Sequence, residues 1–187
     1  MADEVTLRPW RVDDTPALVA AWHDDDIAAG STPPPDRSAV TATRWIEGCD
    51  VREQRLLAVD RVIDVAGECV GEVGLSDIDQ RRGAALIGWW VGAEHRGRGF
   101  AVAGVGAMLD VAAMFGVTTL VAQIGIDNTA SVRVAERVGF MLLRAGSEVE
   151  PHLYVHRRPI ARAGRGEIHR RARAARRRAA CRVQSRP

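Results

Sequence analysis

Apolar and polar positions repeat with two different periods along this chain, and each change of period marks an element. Short runs in period two or rich in β-branched residues predict strands at 6–10, 56–59, 70–75, 84–91 and 118–126, with two more at 140–143 and 152–156. Gly67 marks a turn or bulge between the second and third of these. Helical spacing takes over elsewhere. Asp14-Thr15-Pro16 supplies an oxygen-bearing cap and an early proline, so a helix is expected over 14–29 with Leu18, Ala21 and Trp22 on one face. Gly30-Ser31-Thr32-Pro33-Pro34-Pro35 ends it. A second helix is expected over 37–47, carrying Val40, Arg44 and Trp45. A long one follows over 101–115, with Val102, Val105, Leu109 and Ala112/Ala113 on its apolar face. A short one over 130–138 closes at Gly139, where a left-handed cap is expected. Strands mixed with helices and no internal repeat predict an α/β (α+β) three-layer sandwich.

Composition narrows this to one domain. The chain has 187 residues, 47% hydrophobic and 27% charged, long enough to bury a core. No apolar run approaches the length of a membrane span, and Met-Ala-Asp-Glu is no secretory signal, so the cytoplasm is the default location. Cys49, Cys69 and Cys181 have no metal-ligand spacing, so no metal site is expected. The net charge of +2 hides a split: residues 1–156 carry 14 Arg against 23 Asp and Glu, whereas 157–187 carry 12 Arg against one Glu. The expected organisation is a folded body over 1–156 and an Arg-rich disordered tail over 157–187. Two readings of the tail stand side by side: an arm that binds RNA, and a passive extension.

The chemistry concentrates in two segments. Arg96-Gly97-Arg98-Gly99-Phe100-Ala101 lies between the strand at 84–91 and the long helix. Glycines admit dihedrals that other residues avoid, and the first helical turn leaves N–H groups unpaired, so such a loop suits a pyrophosphate. The Gly-x4-Gly-Lys-Ser/Thr phosphate loop is absent, and no acidic ribose partner follows as in a dinucleotide fingerprint. The second segment is Ile126-Asp127-Asn128-Thr129-Ala130-Ser131, leading into Val132-Arg133-Val134-Ala135-Glu136-Arg137-Val138-Gly139-Phe140.

Arg-x-x-Gly-x-Ala after a strand ending Ile-Gly-Trp-Trp-Val, then Asn-x-x-Ser-x-x-x-x-Glu-x-x-Gly-Phe, resembles the GNAT superfamily of acyl-CoA-dependent N-acetyltransferases. Thr6-Leu7-Arg8-Pro9-Trp10, Val70-Gly71-Glu72-Val73-Gly74-Leu75 and Ala93-Glu94-His95 resemble its RimJ/RimL-type branch, which acetylates ribosomal-protein N-termini. The resemblance covers about residues 5–156. It implies a mostly antiparallel sheet flanked by helices and splayed where acetyl-CoA binds. It also implies direct acetyl transfer to a primary amine, most simply a protein N-terminal α-amine such as that of a ribosomal protein. An α-amine has a pKa near 8, so a fair fraction is neutral at cell pH.

On that resemblance, backbone amides over Arg96, Gly97, Arg98, Gly99, Phe100 and Ala101 grip the pyrophosphate. Trp90 and Val91 pair with pantetheine like an added strand, and an amide there, that of Val91, meets the oxyanion. Asn128 bonds pantetheine amides and Ser131 returns a proton to the thiolate, although an Asn or Ser before a helix is also an ordinary cap. Glu72 is the candidate base, a solvated strand-face carboxylate being its alternative; Asp77, Asp79, His23 and His95 stand behind it. Where relatives have Thr-Glu-Ala after the loop, this chain has Val102-Ala103-Gly104, which leaves the substrate class open. An acidic cleft lined by Asp24-Asp25-Asp26 would favour cationic small acceptors such as aminoglycosides or polyamines. A succinyl donor is a further alternative, and so is a non-catalytic CoA-binding module whose tail binds nucleic acid. A monomer or a homodimer is expected.

Overall fold

A single arginine organises the start of the chain. Arg8 ends β1 (Val5–Arg8) and holds Asp14 with both Nη atoms, at 2.6 and 2.8 Å, while its Nε donates to Asp64. Asp14 also accepts the Arg11 N–H at 2.8 Å, and Asp64 accepts the Gly67 N–H at 2.9 Å. These side chains are about nine-tenths buried. Buried charge is tolerated here because nearly every lone pair and proton is matched. The network ties β1 to the 3-10 turn Val12–Asp14 and to the tight turn after β2 (Ala58–Val65), where Ala66 and Gly67 are both left-handed.

In the computed structural model, residues 4–158 are described. The rest of the tail, with Cys181 and the expected RNA contact, lies outside the described residues. The sheet has seven strands in the order β1-β2-β3-β4-β5-β7-β6. β1, β2, β3 (Glu68–Asp79) and β4 (Ala84–Val91) are antiparallel neighbours. β5 (Thr119–Ile124) is parallel to β4. β7 (His152–Arg157) runs antiparallel to β5, and β6 (Met141–Arg144) pairs with β7 at the edge. This is the mixed, mostly antiparallel sheet expected. β7 runs past His156, and Arg158 still donates its N–H to Thr118 O at 2.8 Å and pairs with Asp110, so the folded body extends beyond residue 156.

Helices cover both faces. α1 (Thr15–His23) and α3 (Ala39–Glu47) pack Leu18, Trp22, Ala42 and Ile46 around Trp10 and Val62. α5 (Phe100–Met114) and α6 (Thr129–Val138) cover the other face, over Val59, Ile63, Val73, Leu75 and Ile87. The expected single helix over 14–29 is two. α1 stops at His23 and α2 (Asp25–Gly30) restarts, because extended Asp24 accepts the N–H groups of Asp26 and Ile27 as an N-cap. In the second helix Ala42 and Ile46 are buried, whereas Val40 is 60% exposed. A short α4 (Cys49–Gln54), not expected, follows it. β2 begins at Ala58 because Leu56 takes a left-handed conformation.

α5 carries two glycines with opposite roles. A Cβ on Gly104 would lie 2.7 Å from Ile63 Cδ1, and Ile63 is wholly buried and has nowhere to move. A Cβ on Gly106 would meet nothing within 4 Å. Gly104→Ala is therefore expected to overpack the α5–β2 contact at a cost of about 1–3 kcal/mol, relieved only in part by Ile63→Val, which removes Cδ1 and keeps Cγ1 at 2.8 Å. Gly106→Ala should stabilise by up to about 1 kcal/mol through helix propensity. Denaturant unfolding of the two variants checks the opposite signs; equal effects would show that α5 does not sit this close to β2.

Candidate active site

The sheet parts at its middle. β4 and β5 are paired only at Ala84↔Thr119, Ala85↔Leu120 and Leu86↔Val121. β4 stays paired with β3 as far as Gly71↔Val91, and β5 with β7 through Ile124↔His152. The Gly92 N–H donates to Val70 O at 3.0 Å, and bonded and non-bonded pairs alternate along an antiparallel ladder. Glu72/Trp90 and Gly74/Gly88 are then bonded pairs. Trp89 and Val91 consequently turn their N–H and C=O groups away from β3, toward a strand that has already diverged. Gly71 is needed here, since a Cβ on it would overlap the Trp90 carbonyl oxygen.

Because β4 and β5 are parallel, the segments that follow them leave the same end of the sheet, at the mouth of the split. After β4 come the 3-10 turn Ala93–His95 and the glycine loop. Gly97 and Gly99 have φ of +77° and +82°, and a Cβ on either would meet nothing within 4 Å. Gly99 caps α5, and the first intrahelical donor to reach back is Ala103 N–H, to Gly99 O. The amides of Phe100, Ala101 and Val102 precede that first bond and have no helical acceptor. With the positive end of the α5 dipole, they make a concave set of donors suited to a phosphate.

The arginines of the loop differ. Arg98 stacks its guanidinium 4.7 Å from the centre of the Phe100 ring. Arg96 reaches away from the loop, to Asp24 and Asp26 at 2.7 Å each, and its Nε donates to Val91 O at 3.2 Å. Burial works to raise the Asp24 pKa, but the Arg96 hydrogen bond and the backbone N–H groups it caps hold it below the usual carboxylate range. The acidic run expected to line a cleft for cationic acceptors is thus largely engaged: Asp24 caps α2 and, with Asp26, neutralises Arg96.

After β5, Asn128 caps α6, its Oδ1 accepting the Ser131 N–H at 2.9 Å. That bond uses its carbonyl and leaves its NH2 group. Ser131 is half-buried in the first turn of α6, at the end of the helix that follows β5. Gly139 is left-handed at the far end, and Phe140 is buried against His156.

Glu72 and Trp90 are cross-strand partners, and the Trp90 Nε1–H donates to Glu72 Oε2 at 3.2 Å. Trp89 packs into the α5 side of the core and Trp90 toward the α1 side. Burial pushes the Glu72 carboxyl up to about 8, the charge of Asp60 adds to this, and the Trp90 hydrogen bond and Arg52 oppose it. Glu72 is therefore not the freely solvated carboxylate that alternation alone allows. The lesser base candidates sit elsewhere. His95 is buried beside Glu94 and Glu68, Asp79 caps the turn at Arg81 and Arg82, His23 bonds Val19 O, and Asp77 is exposed in a bulge of β3. Burial pushes the Cys49 and Cys69 thiols up to about 12, leaving both neutral.

Asp60 and Arg52 escape a reading by motif. The signal was present: Asp60 falls on an inward position of a strand whose neighbours are apolar, where a carboxylate needs a partner. Arg52 supplies it, from 3.1 and 3.3 Å, and stacks 4.3 Å over Trp45. An open cavity of about 410 Å³ beside Arg8, Arg11 and Cys69 takes in His95, a lesser base candidate, and none of the other candidate site residues. Among the described residues, no cluster of three or more His, Cys, Asp or Glu is placed to hold a metal ion, and no helix is long and apolar enough to cross a membrane.

The profile of the acetyltransferase (GNAT) domain family matches residues 4–141. The chain is 26% identical over 145 residues to the uncharacterized N-acetyltransferase p20 of Bacillus licheniformis, covering 74% of this chain and 79% of that one. Its fold is similar to that of RimJ of Mycobacterium smegmatis in complex with CoA-disulfide, with a TM-score of 0.73 and 22% identity over 94% of this chain and 91% of that one. It is similar also to RimL, the ribosomal L7/L12 α-N-protein acetyltransferase, in complex with coenzyme A (TM-score 0.71, 22% identity, 82% and 94% covered). The microcin C7 self-immunity acetyltransferase MccE, in complex with acetyl-CoA and AMP, gives a TM-score of 0.70 at 22% identity, with 83% and 93% covered.

The Glu72 shift has a consequence for stability. Between its ordinary pKa of 4.5 and about 8, the folded protein keeps a proton that the unfolded chain has lost. Stability therefore falls as pH rises through that window and levels off above it. Glu72→Gln, which retains an acceptor for Trp90, should remove this slope: its melting temperature relative to the parent should rise from pH 5 to pH 8.5. A difference that stays constant with pH would contradict the shift.

Proposed function

Because the chain belongs to the GNAT acetyltransferase family, we propose that it moves an acetyl group from acetyl-CoA to the α-amine at a protein N-terminus, by direct transfer. The observation that carries this is the parting of β4 from β5 beside a glycine loop whose helix amides are unpaired. Acetyl-CoA supplies the activated acetyl thioester. The donor set fits it: amides from Gly97 to Ala101 for the pyrophosphate, and the free edge of β4 for the pantetheine amides. Val91 N–H lies on that edge and stabilises charge that develops on the thioester oxygen. Trp90 walls the cleft, and the Asn128 NH2 group serves the pantetheine. Ser131 holds a proton for the departing sulfur, and Glu72 takes the proton that the amine loses.

Arg96 contributes by holding Val91 and α2 rather than through its charge at the phosphates, since its guanidinium is engaged by Asp24 and Asp26. The likeness to RimJ and RimL supports a protein N-terminus as acceptor, and so does the low pKa of an α-amine. Arg96 engages Asp24 and Asp26 and offsets one of the three charges of the run, which weakens the argument for a polycationic small acceptor.

Acetyl-CoA should raise the melting temperature of this protein, and Gly99→Asp, which puts a carboxylate at the loop, should abolish the rise. Unchanged binding in a folded Gly99→Asp protein would remove the phosphate assignment. Thiol release from acetyl-CoA, followed over hexapeptides beginning with Ser or Ala, spermidine and an aminoglycoside, tests the acceptor: only the peptides should be turned over well. Ser131→Ala should lower turnover about a hundredfold with little change in the Michaelis constant for acetyl-CoA. A loss of stability alone would leave Ser131 as part of the α6 cap.

A further inference from the structure

Two glycines face each other across β3 and β4, one step beyond the Glu72–Trp90 pair: Gly74 is the partner of Gly88. A Cβ built on Gly88 would meet nothing within 4 Å. One built on Gly74 would lie 3.1 Å from Asp60 Oδ1 and 3.4 Å from Glu72 Oε1. The sheet thus has a bare patch with two carboxylate oxygens turned to it, within about 6.5 Å of each other by the sum of those distances. Gly88 is exposed and comes two residues after Leu86, the last residue of β4 paired with β5, so the patch opens beside the split.

Each carboxylate commits its other oxygen to a fixed donor. Asp60 Oδ2 accepts from Arg52, and Glu72 Oε2 accepts from Trp90. Oδ1 and Oε1 accept no hydrogen bond from a described residue, although the Asp60 side chain is only 10% exposed. The same face carries a second unmatched group. Trp10 is 7% exposed, its ring centre is 6.3 Å from that of Trp90, and its Nε1–H has no acceptor among the described residues. That donor is sealed from solvent, so what the patch offers a ligand is the pair of carboxylate oxygens, which a cationic amine complements.

Resting on the acetyltransferase reading, we propose that the acceptor's ammonium group docks on the Gly74–Gly88 patch between Asp60 and Glu72, and that these carboxylates act as a pair to take up its proton. An N–H bond of R–NH3+ breaks and an O–H bond forms on the pair, leaving the lone pair on nitrogen. That lone pair makes the C–N bond to the acetyl carbon, and the C–S bond breaks with its electrons on sulfur. A second proton from nitrogen balances the one the sulfur takes, so the products are the amide, the thiol and one proton that the pair passes to water.

The surroundings suit a pair that holds one proton until a cation arrives. Burial raises Asp60 as it does Glu72; Arg52 of α4 and Arg61 oppose this, Glu53 adds to it, and neutral Cys49 completes the α4 side. The charge of Asp60 raises the Glu72 pKa, so the titration belongs to the pair.

Gly88→Leu fills the patch without meeting protein at its Cβ. In the CoA-loaded protein, it should weaken binding of a free-amine hexapeptide beginning with Ser at least about tenfold, read by calorimetry. The thermal shift given by acetyl-CoA should not change. The N-acetylated hexapeptide should not bind the parent. Asp60→Asn should lower the apparent pKa of the kcat/KM profile by about one unit, since it removes a neighbouring negative charge. Glu72→Gln should cut kcat/KM about a hundredfold and flatten its rise with pH. Parent-like peptide binding by Gly88→Leu, no distinction between free and blocked peptides, or an unmoved profile in Asp60→Asn overturns the proposal. Loss of the acetyl-CoA shift in the parent itself would instead bring down the acetyltransferase reading on which it rests.

Discussion

The unpaired edge of β4 is the constraint on which the rest of this structure depends. A strand at the centre of a sheet ordinarily satisfies its backbone on both sides, and polar backbone groups left bare in a half-buried place are costly. Here β4 keeps its β3 ladder to Val91 while β5 turns away after Val121, so Trp89 and the Val91 N–H present backbone groups to a cleft. Such an edge invites an extended, amide-bearing ligand to complete the ladder. The separation is held because each strand has a firm partner on its other side: β3 for β4, and β7 for β5.

Charge networks then fix what surrounds the cleft. Arg8 joins β1, the Val12–Asp14 turn and the β2–β3 turn, which sets the floor on which α1 begins. Arg52 anchors α4 to β2 and aims Asp60 across the sheet face. Arg96 spans from the end of β4 to the cap of α2, so the glycine loop and α2 share one strut. The three arginines use planar, multi-donor geometry that a lysine does not offer. A chain whose cations are all arginine has this means of joining elements at every basic position.

Much of the fold was legible in order and type. Ala84–Val91 was expected at its observed bounds, and α5, β5 and α6 within two residues of theirs. Those segments have long periodic patterns and strong punctuation from Gly97, Gly99, Gly116 and Gly139, all at positive φ. The N-terminal helices were less legible. The break between α1 and α2 depends on Asp24 turning its carboxylate onto two amides, and the same Asp-Asp-Asp run reads equally well as a solvated helical turn. In α3 the apolar Val40 lies over solvent and small Ala42 makes the contact, a choice of face that apolarity alone does not fix.

By itself, the sequence determined the local chemistry of this protein: where glycines permit a phosphate cradle, where a helix must start, and which side chains of acid–base type stand near by. These depend on backbone dihedrals and nearest neighbours, which a few consecutive residues decide. Only the tertiary structure decided which groups share an environment. Asp60 and Glu72 are twelve positions apart, and strand register alone sets them on one face with Gly74 between them. Arg96 and Asp24 are separated by 72 residues and meet only because α2 returns to the end of β4. Burial and partner charge act through space, so the protonation of Glu72 and the engagement of Arg96 follow from packing and not from their neighbours in the chain.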